Sequence, residues 1–432
     1  MSTFIKYLRM FMHLPDRSRR AIGYLSQYGD ILRVSFDEDY ISDPLRPVLS
    51  LTYVGQDEAA TQAILSAARD ARLVRADGHW PSYFANLLPE GHNRDRLARE
   101  RHCAADDEFE LLAAAGHDLM GALEVEPVPA REGIPDAVRL WHTALGLDVL
   151  EPGFVEDPVE DAAALPGVVT KFSAVYDGRR YVVRRQGRAG STILKLPTSR
   201  HPDLVDNEYS GYVLCRALGL ECAQAGIITR AQAELPEVVP FERILAVPRF
   251  DRGPDGLRVH MEEFAQVLGF SPRHKYGRGM GDYADMLRVI DAVSSRRAAD
   301  LREFILRFVA FILLGNTDAH LKNWALVYPD ARHPQLAPLY DPVCVTAFFE
   351  SVGPQDYGVN RRIDRELREF GWNDLDGLIR QAGLMRAPHY LRLARDLVRQ
   401  AQAQWPALLK EAPPSMQRSV SERLQGGLAL TR

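Results

Sequence analysis

A chain of 432 residues is longer than one hydrophobic core usually organises, so two or three domains are expected. With 46% apolar and 26% charged residues it has the make-up of an ordinary globular protein, and a net charge of −5 removes the electrostatic reason to expect direct binding of nucleic acid. Cys103, Cys215, Cys222 and Cys344 show no metal-ligand spacing, and no apolar run nears the ~20 residues needed to span a bilayer, so a cytoplasmic protein without membrane contact is expected.

Residues 1–19 read as a basic leader, a solvated tail or short helix, with Lys6 and Arg9 inside its apolar part. Residues 20–130 mix short strands and helices into a small α/β subdomain. Ile31–Phe36 alternates as a strand does, Leu49–Val54 is a second candidate strand, Asn93–His102 is a charged helix, and Gly116–Glu126 returns to loop and strand. Its histidines, His79, His92, His102 and His117, are too scattered to suggest a ligand set. Residues 131–164 carry Pro135, Pro152, Pro158 and an acidic cluster, and read as a solvated connector.

From 165 to 250 the pattern is that of a nucleotide-binding small lobe. A short loop, Pro166-Gly167-Val168-Val169-Thr170-Lys171, leads into a strand, Phe172–Tyr176. Asp177-Gly178 is a hairpin turn, and Ser191–Leu196 is a further strand in which Lys195 shares a face with Ile193. A lysine among apolar residues needs an anion beside it. Glu208 stands thirteen residues on, in a helix over Asp203–Leu218 that stops at Gly219, and would supply one. A strand over Ile244–Val247 then runs into a connector, Pro248-Arg249-Phe250, suited to an adenine ring.

Residues 251–410 read as a mostly helical large lobe. The basic stretch Arg273–Gly279 is either a mobile substrate segment or a plain surface loop. After an apolar helix, Leu301–Leu314, comes Gly315-Asn316-Thr317-Asp318-Ala319-His320-Leu321-Lys322-Asn323, then a hairpin of Ala325–Tyr328 and Gln335–Tyr340 ending at Asp341. An Asp and an Asn five apart, with a second Asp beyond, is the acid set of a phosphotransferase. One Asp orients the accepting hydroxyl, while the Asn and the other Asp hold Mg²⁺. Amphipathic helices follow over Arg361–Leu409, and residues 411–432, with Pro413-Pro414, read as a loosely packed tail. Loop, strand lysine, helix glutamate, connector and acid set fall in the order a kinase requires.

Thr192–Pro197, Asp206–Glu208, Leu218–Leu220, Ala246–Arg252, Gly315–Asn323 and Tyr340-Asp341, with Leu87–Glu90, Arg94–Arg101 and Gly121–Glu124 upstream, resemble the HipA family, the toxin half of bacterial HipA–HipB toxin–antitoxin pairs. The resemblance spans about residues 20–410. It implies an α+β, bilobal protein-kinase-like fold with a small N-terminal subdomain and an all-α C-terminal part, and a Ser/Thr protein kinase using ATP and Mg²⁺. By that resemblance Asp318 is the catalytic base, and Asn323 and Asp341 bind metal. Lys195, ion-paired with Glu208, holds phosphate; Pro248, Arg249 and Phe250 line the adenine site; Pro166–Lys171 form the phosphate loop; His320, Lys322 and Tyr340 touch nucleotide. The implied partners are a HipB-like helix-turn-helix antitoxin, through which DNA is reached indirectly, and a protein substrate such as an aminoacyl-tRNA synthetase, whose phosphorylation arrests growth.

Two positions depart from the family pattern: Val169 stands where a loop Gln is usual, and Ala164 replaces the serine that becomes autophosphorylated, leaving Thr170 or Ser173 as substitutes. Two other readings remain open at this stage. One is a catalytically silent nucleotide-binding co-repressor. The other is a metal-dependent hydrolase built on Asp318, His320 and Asp341.

Overall fold

The computed structural model describes residues 4–129, 132–143, 150–165, 170–183, 188–235, 239–350 and 361–432. The chain forms two compact units. One comprises Met1–Ile193, Asp251–Lys275 and Val327–Arg332; the other comprises Leu194–Phe250, Tyr276–Leu326 and His333–Arg432.

The first unit opens with β1 (Phe4–His13), β2 (Arg19–Tyr28) and β3 (Ile31–Phe36), followed by α1 (Glu38–Ser42), α2 (Glu58–Leu65), β4 (Val74–Arg75), α3 (Ser82–Ala85), α4 (Gly91–Arg101), α5 (Glu108–Ala114), β5 (Leu123–Pro127), α6 (Asp136–Thr143) and β6 (Glu151–Pro152). Its sheet has the order β4-β3-β2-β1-β5 with antiparallel neighbours, and β6 joins β1 in parallel. The supposed leader is therefore wrong: β1 lies between β2 and β5, with Ile5, Tyr7, Leu8, Met10 and Met12 buried. Its cations disguised it. Lys6 Nζ reaches Glu110 at 2.6 Å, and Arg9 forks onto Asp37 at 2.6 and 2.9 Å, so the charges are matched within the fold.

Leu49–Val54 is likewise not a strand. Leu51–Tyr53 forms a 3₁₀ turn: the Leu51 N–H that a ladder would use donates instead to the buried Glu262 carboxylate at 3.1 Å, and the Ser50 hydroxyl donates to the same carboxylate at 2.8 Å. Nor is the connector merely solvated: Val138, Ala162 and Ala164 are buried, and Arg101 holds the Glu156 and Asp157 carbonyls at 3.0 and 2.6 Å. β7 (Lys171–Tyr176) and β8 (Tyr181–Val182) then make the expected hairpin, whose turn is closed by Asp177 accepting from the Arg179 and Arg180 amides at 3.0 and 2.9 Å.

β9 (Thr192–Lys195) leads into the second unit, followed by α7 (Leu204–Ala217), β10 (Gly226–Thr229) and β11 (Arg243–Pro248), with β11 between β10 and β9. The chain re-enters the first unit with β12 (His260–Glu263) and α8 (Phe264–Val267). Here Glu262 is fully buried, with Tyr328, Ser50 and Leu51 donating to it. Burial pushes its carboxyl up to about 7, against hydrogen bonds that favour the charged form. A carboxyl whose pKa is higher folded than unfolded binds more protons in the native state. Stability should therefore fall by about 3 kcal/mol as pH rises from about 4.5 to 7 and then level off. Urea titrations should show the stability difference between wild type and Glu262→Gln moving in the variant's favour across that window; a pH-independent difference would refute this.

In the second unit α9 (Gly281–Val293) and α10 (Arg297–Leu314) precede β13 (Ala325–Tyr328), whose last two residues belong to the first unit; β14 (Gln335–Leu336), α11 (Arg361–Glu369), α12 (Trp372–Gln381), α13 (Ala387–Leu408) and α14 (Pro414–Glu422) of the second unit follow. α10 is buried from Glu303 to Leu314, and its one basic residue in that run, Arg307, pairs with Glu303 at 2.9 Å. β14 is shorter than the expected Gln335–Tyr340, since Leu339 leaves it to bridge Cys222. The supposed loose tail is well packed: Pro414 opens α14, where its missing N–H costs nothing, and Met416, Val420 and Leu428 are fully buried. Arg423, also fully buried, donates to the Ile312 carbonyl at 3.0 Å and to Asp364 at 2.8 Å. No helix among the described residues is long and apolar enough to cross a membrane.

Candidate active site

In the second unit the last residue of β9, Lys195, turns inward, and its amine is bonded by Glu208 of α7 at 2.7 Å and by Asp341. Burial alone would favour the neutral amine, but the Asp341 and Glu208 carboxylates more than reverse it and hold Lys195 above the ordinary lysine range. One face of α7 builds the surroundings. Asn207 exchanges two hydrogen bonds with the Cys344 backbone, at 2.8 and 3.1 Å, and the Tyr212 hydroxyl accepts from the Asp341 amide at 3.2 Å. Between them Gly211 lies so close to the Pro342 carbonyl that a Cβ there would stand 1.7 Å from its oxygen. Asp341 itself has φ 54, a left-handed conformation rare outside glycine, and immediately precedes Pro342.

The Asp318 loop starts where α10 stops. Gly315, at φ 78, caps the helix, and a side chain there would collide with Thr346 Oγ1. Asn316 then couples the two acids: its Oδ1 accepts from the Asp318 amide at 3.1 Å, and its Nδ2 donates to the Asp341 carbonyl at 3.2 Å. Asn323 donates through Nδ2 to the Asp318 carbonyl at 2.7 Å, and Tyr340 donates to the Lys322 carbonyl at 2.9 Å. Tyr283 of α9 supports the loop through the Ala319 carbonyl at 2.8 Å. The Tyr276 hydroxyl donates to Asp318 Oδ1 at 2.7 Å, and its ring meets the His320 ring edge-on at 5.3 Å.

Lys195, Glu208 and Asp341 thus meet directly, and Asp318 and Asn323 share one loop that Asn316 joins to Asp341. Phe250 lies against Tyr340 at 5.5 Å between ring centres, Arg249 is buried, and Pro248 is exposed at the end of β11. Pro166, Gly167, Val168 and Val169 lie outside the described residues; Thr170 and Lys171 belong to the first unit. Ser173 is buried, with its hydroxyl donating to Asp118 at 2.9 Å, which does not suit an exposed modification site. Gly211, Tyr212, Asn207, Asn316 and Tyr276 were given no site role from sequence: Gly211 acts through close backbone approach, Tyr212 and Tyr276 through their hydroxyls, and Asn207 and Asn316 through side-chain amides whose backbone partners are distant in sequence.

The donor chemistry suits Mg²⁺, since a carboxylate and an amide carbonyl are hard oxygen ligands, and the Asn323 nitrogen is already engaged by the Asp318 carbonyl, leaving its oxygen on the other side of the amide. The trio Asp318, His320 and Asp341 is not gathered as a metal site: among the described residues no group of three or more His, Cys, Asp or Glu side chains is so arranged.

Residues 163–405 match the HipA-like C-terminal domain family, and residues 17–126 match the HipA N-terminal domain. The chain belongs to the HipA family. A relative named "Putative kinase Y4dM", from Sinorhizobium fredii, is 33% identical over 386 residues, spanning 88% of this chain and 87% of that protein. The Serine/threonine-protein kinase toxin HipA of Shewanella oneidensis is 27% identical over 379 residues, spanning 79% and 76%. A solved Shewanella oneidensis complex of HipA, HipB and operator DNA matches 98% of this chain and 96% of that one, with a TM-score of 0.66 at 21% identity. The α+β, kinase-like HipA fold expected from sequence is therefore the fold present.

Proposed function

We propose that this HipA-family chain is an ATP- and Mg²⁺-dependent Ser/Thr protein kinase acting in the cytoplasm as the toxin of a type II pair. A HipB-like antitoxin would restrain it and carry any DNA contact. Its substrate would be a translation factor such as an aminoacyl-tRNA synthetase. The observation that carries this reading is the clasp of the buried Lys195 amine by Glu208 and Asp341, tied through Asn316 to the Asp318 loop. A metal-dependent hydrolase has no need of such a clasp.

In this reading Asp318 accepts the proton of a Ser or Thr hydroxyl as its oxygen bonds to the γ-phosphorus, and the bond from that phosphorus to the oxygen retained by ADP breaks. Lys195 stays charged throughout and faces the phosphates, with Glu208 fixing its position. Asn323 and Asp341 would hold Mg²⁺, whose chemistry is to neutralise charge on the phosphate oxygens. Pro248, Arg249 and Phe250 would line adenine, Pro166–Lys171 would cover the phosphates, and His320, Lys322 and Tyr340 would complete the nucleotide contacts.

The test is transfer from [γ-³²P]ATP to heat-treated cytosolic proteins. Asp318→Gln should label about 10²–10⁴-fold more slowly than wild type, the usual weight of a general base. Equal labelling by both would remove Asp318 from the chemistry. ATP binding by the wild type without transfer would point instead to a silent co-repressor. Growth arrest on expression, lost in Asp341→Asn, would support the toxin role.

A further inference from the structure

We infer that the Tyr276 hydroxyl occupies the place of the acceptor hydroxyl on Asp318, so that Tyr276–Gly279 is a built-in strap that a protein substrate must displace. This rests on the kinase reading above, since it takes Asp318 as the proton acceptor.

The contact has the geometry of the reaction it blocks. Tyr276 Oη donates to Asp318 Oδ1 at 2.7 Å, within the range over which a base takes a proton from its substrate. The ring meets His320 at 5.3 Å with the planes 80° apart, so the phenol is held along its side as well as at its tip. Burial does not explain the placement, for Tyr276 is 37% exposed.

The residues after Tyr276 fix it there. Gly277 and Gly279 have φ of 64 and 130, conformations that side chains rarely adopt. They wrap the chain around the buried Asp282 carboxylate, which accepts from the Arg278 and Gly279 amides, the latter at 3.1 Å. A Cβ on Gly277 would lie 2.2 Å from Asp282 Oδ2. Asp282 sits in the first turn of α9, and its neighbour Tyr283 bonds the Ala319 carbonyl, one residue beyond Asp318. One turn of helix therefore anchors both the strap and the loop it covers. The Arg278 guanidinium, itself largely exposed, adds contacts to the buried Asp282 at 3.3 Å and to the partly exposed Asp285 at 3.1 Å; being water-accessible on the arginine side, these ion pairs are weak enough for an incoming chain to replace.

The test compares wild type with Tyr276→Phe, which keeps the ring on His320 and loses only the hydroxyl, and with Tyr276→Ala, which loses both. Initial rates of labelling of heat-treated cytosolic proteins are measured at limiting acceptor, alongside the KM for ATP. Tyr276→Phe should raise the rate about tenfold, the weight of one hydrogen bond to a charged group, with the KM for ATP unchanged. A synthetic peptide of residues 273–279 should compete with the acceptor proteins and not with ATP. An unchanged or lower rate in both variants, beside an active wild type, overturns the strap and leaves the kinase reading standing. Phosphate on Tyr276, found by mass spectrometry, overturns it too, by making the residue an acceptor rather than a placeholder. No transfer by any of the three proteins defeats the kinase reading and the strap together.

Discussion

Lys195→Met should lower the free energy of unfolding by about 3–5 kcal/mol and also abolish phosphoryl transfer, and the two losses should be separable. The first follows from what stays behind. Glu208 is buried and Asp341 partly so, and without the amine two carboxylates would face each other across the space of a methyl group. Like charges in a weakly polar interior are relieved only by protonation or by local opening, and either costs stability at neutral pH. The second follows from function, because Met cannot meet phosphate. Lys195→Met with Glu208→Met removes the buried acid together with its counter-charge, leaving the half-exposed Asp341 to water. That double variant should recover most of the lost stability in denaturant titrations while labelling stays at background. If activity returned along with stability, Lys195 would be only a scaffold, and the proposed phosphate contact would fail.

Gly211→Ala should reduce phosphoryl transfer by about 10²-fold, the cost of displacing a catalytic group by about 1 Å. By helix propensity alone the change is favourable, since Ala in a helix interior is better than Gly by about 1 kcal/mol. Here the new methyl meets a backbone oxygen at 1.7 Å, and backbone cannot swing aside as a flexible side chain can. α7 or the Asp341-Pro342 stretch must move, and both carry partners of Lys195. A variant that is more stable and fully active would show that the approach of Pro342 to α7 has slack and that Asp341 tolerates displacement.

The site was more legible than its supports. Lys195 stood out because a cation on an apolar strand face needs an anion, and Glu208 lay within reach on the next helix; the pair is 2.7 Å apart. The Asp318 loop was marked by its polar residues following a long apolar helix. Asn316 was read as part of a motif and not as the bridge between two acids, because which backbone groups an amide finds depends on a chain segment 25 residues away. The N-terminal strand was lost to a different cause. Lys6 and Arg9 interrupt its apolar pattern, and their partners Glu110 and Asp37 are distant in sequence. Near the other end, Pro413-Pro414 read as a break in order, whereas the second proline starts a helix and Arg423 fills a buried position on α10.

That last contact has a consequence in time. Ile312, whose carbonyl Arg423 binds, lies three residues before Gly315, and Ser419 meets Thr346 at 2.7 Å where Thr346 bonds the Gly315 carbonyl. Translation adds about 5–20 residues per second, so the stretch bearing Asp318 leaves the ribosome several seconds before the arginine that steadies it. A nascent chain, or one cut short before Arg423, carries every acid of the centre without its last brace. Arg423 and Ser419 thus tie the Gly315 turn, which leads into the Asp318 loop, to a segment that leaves the ribosome well after it.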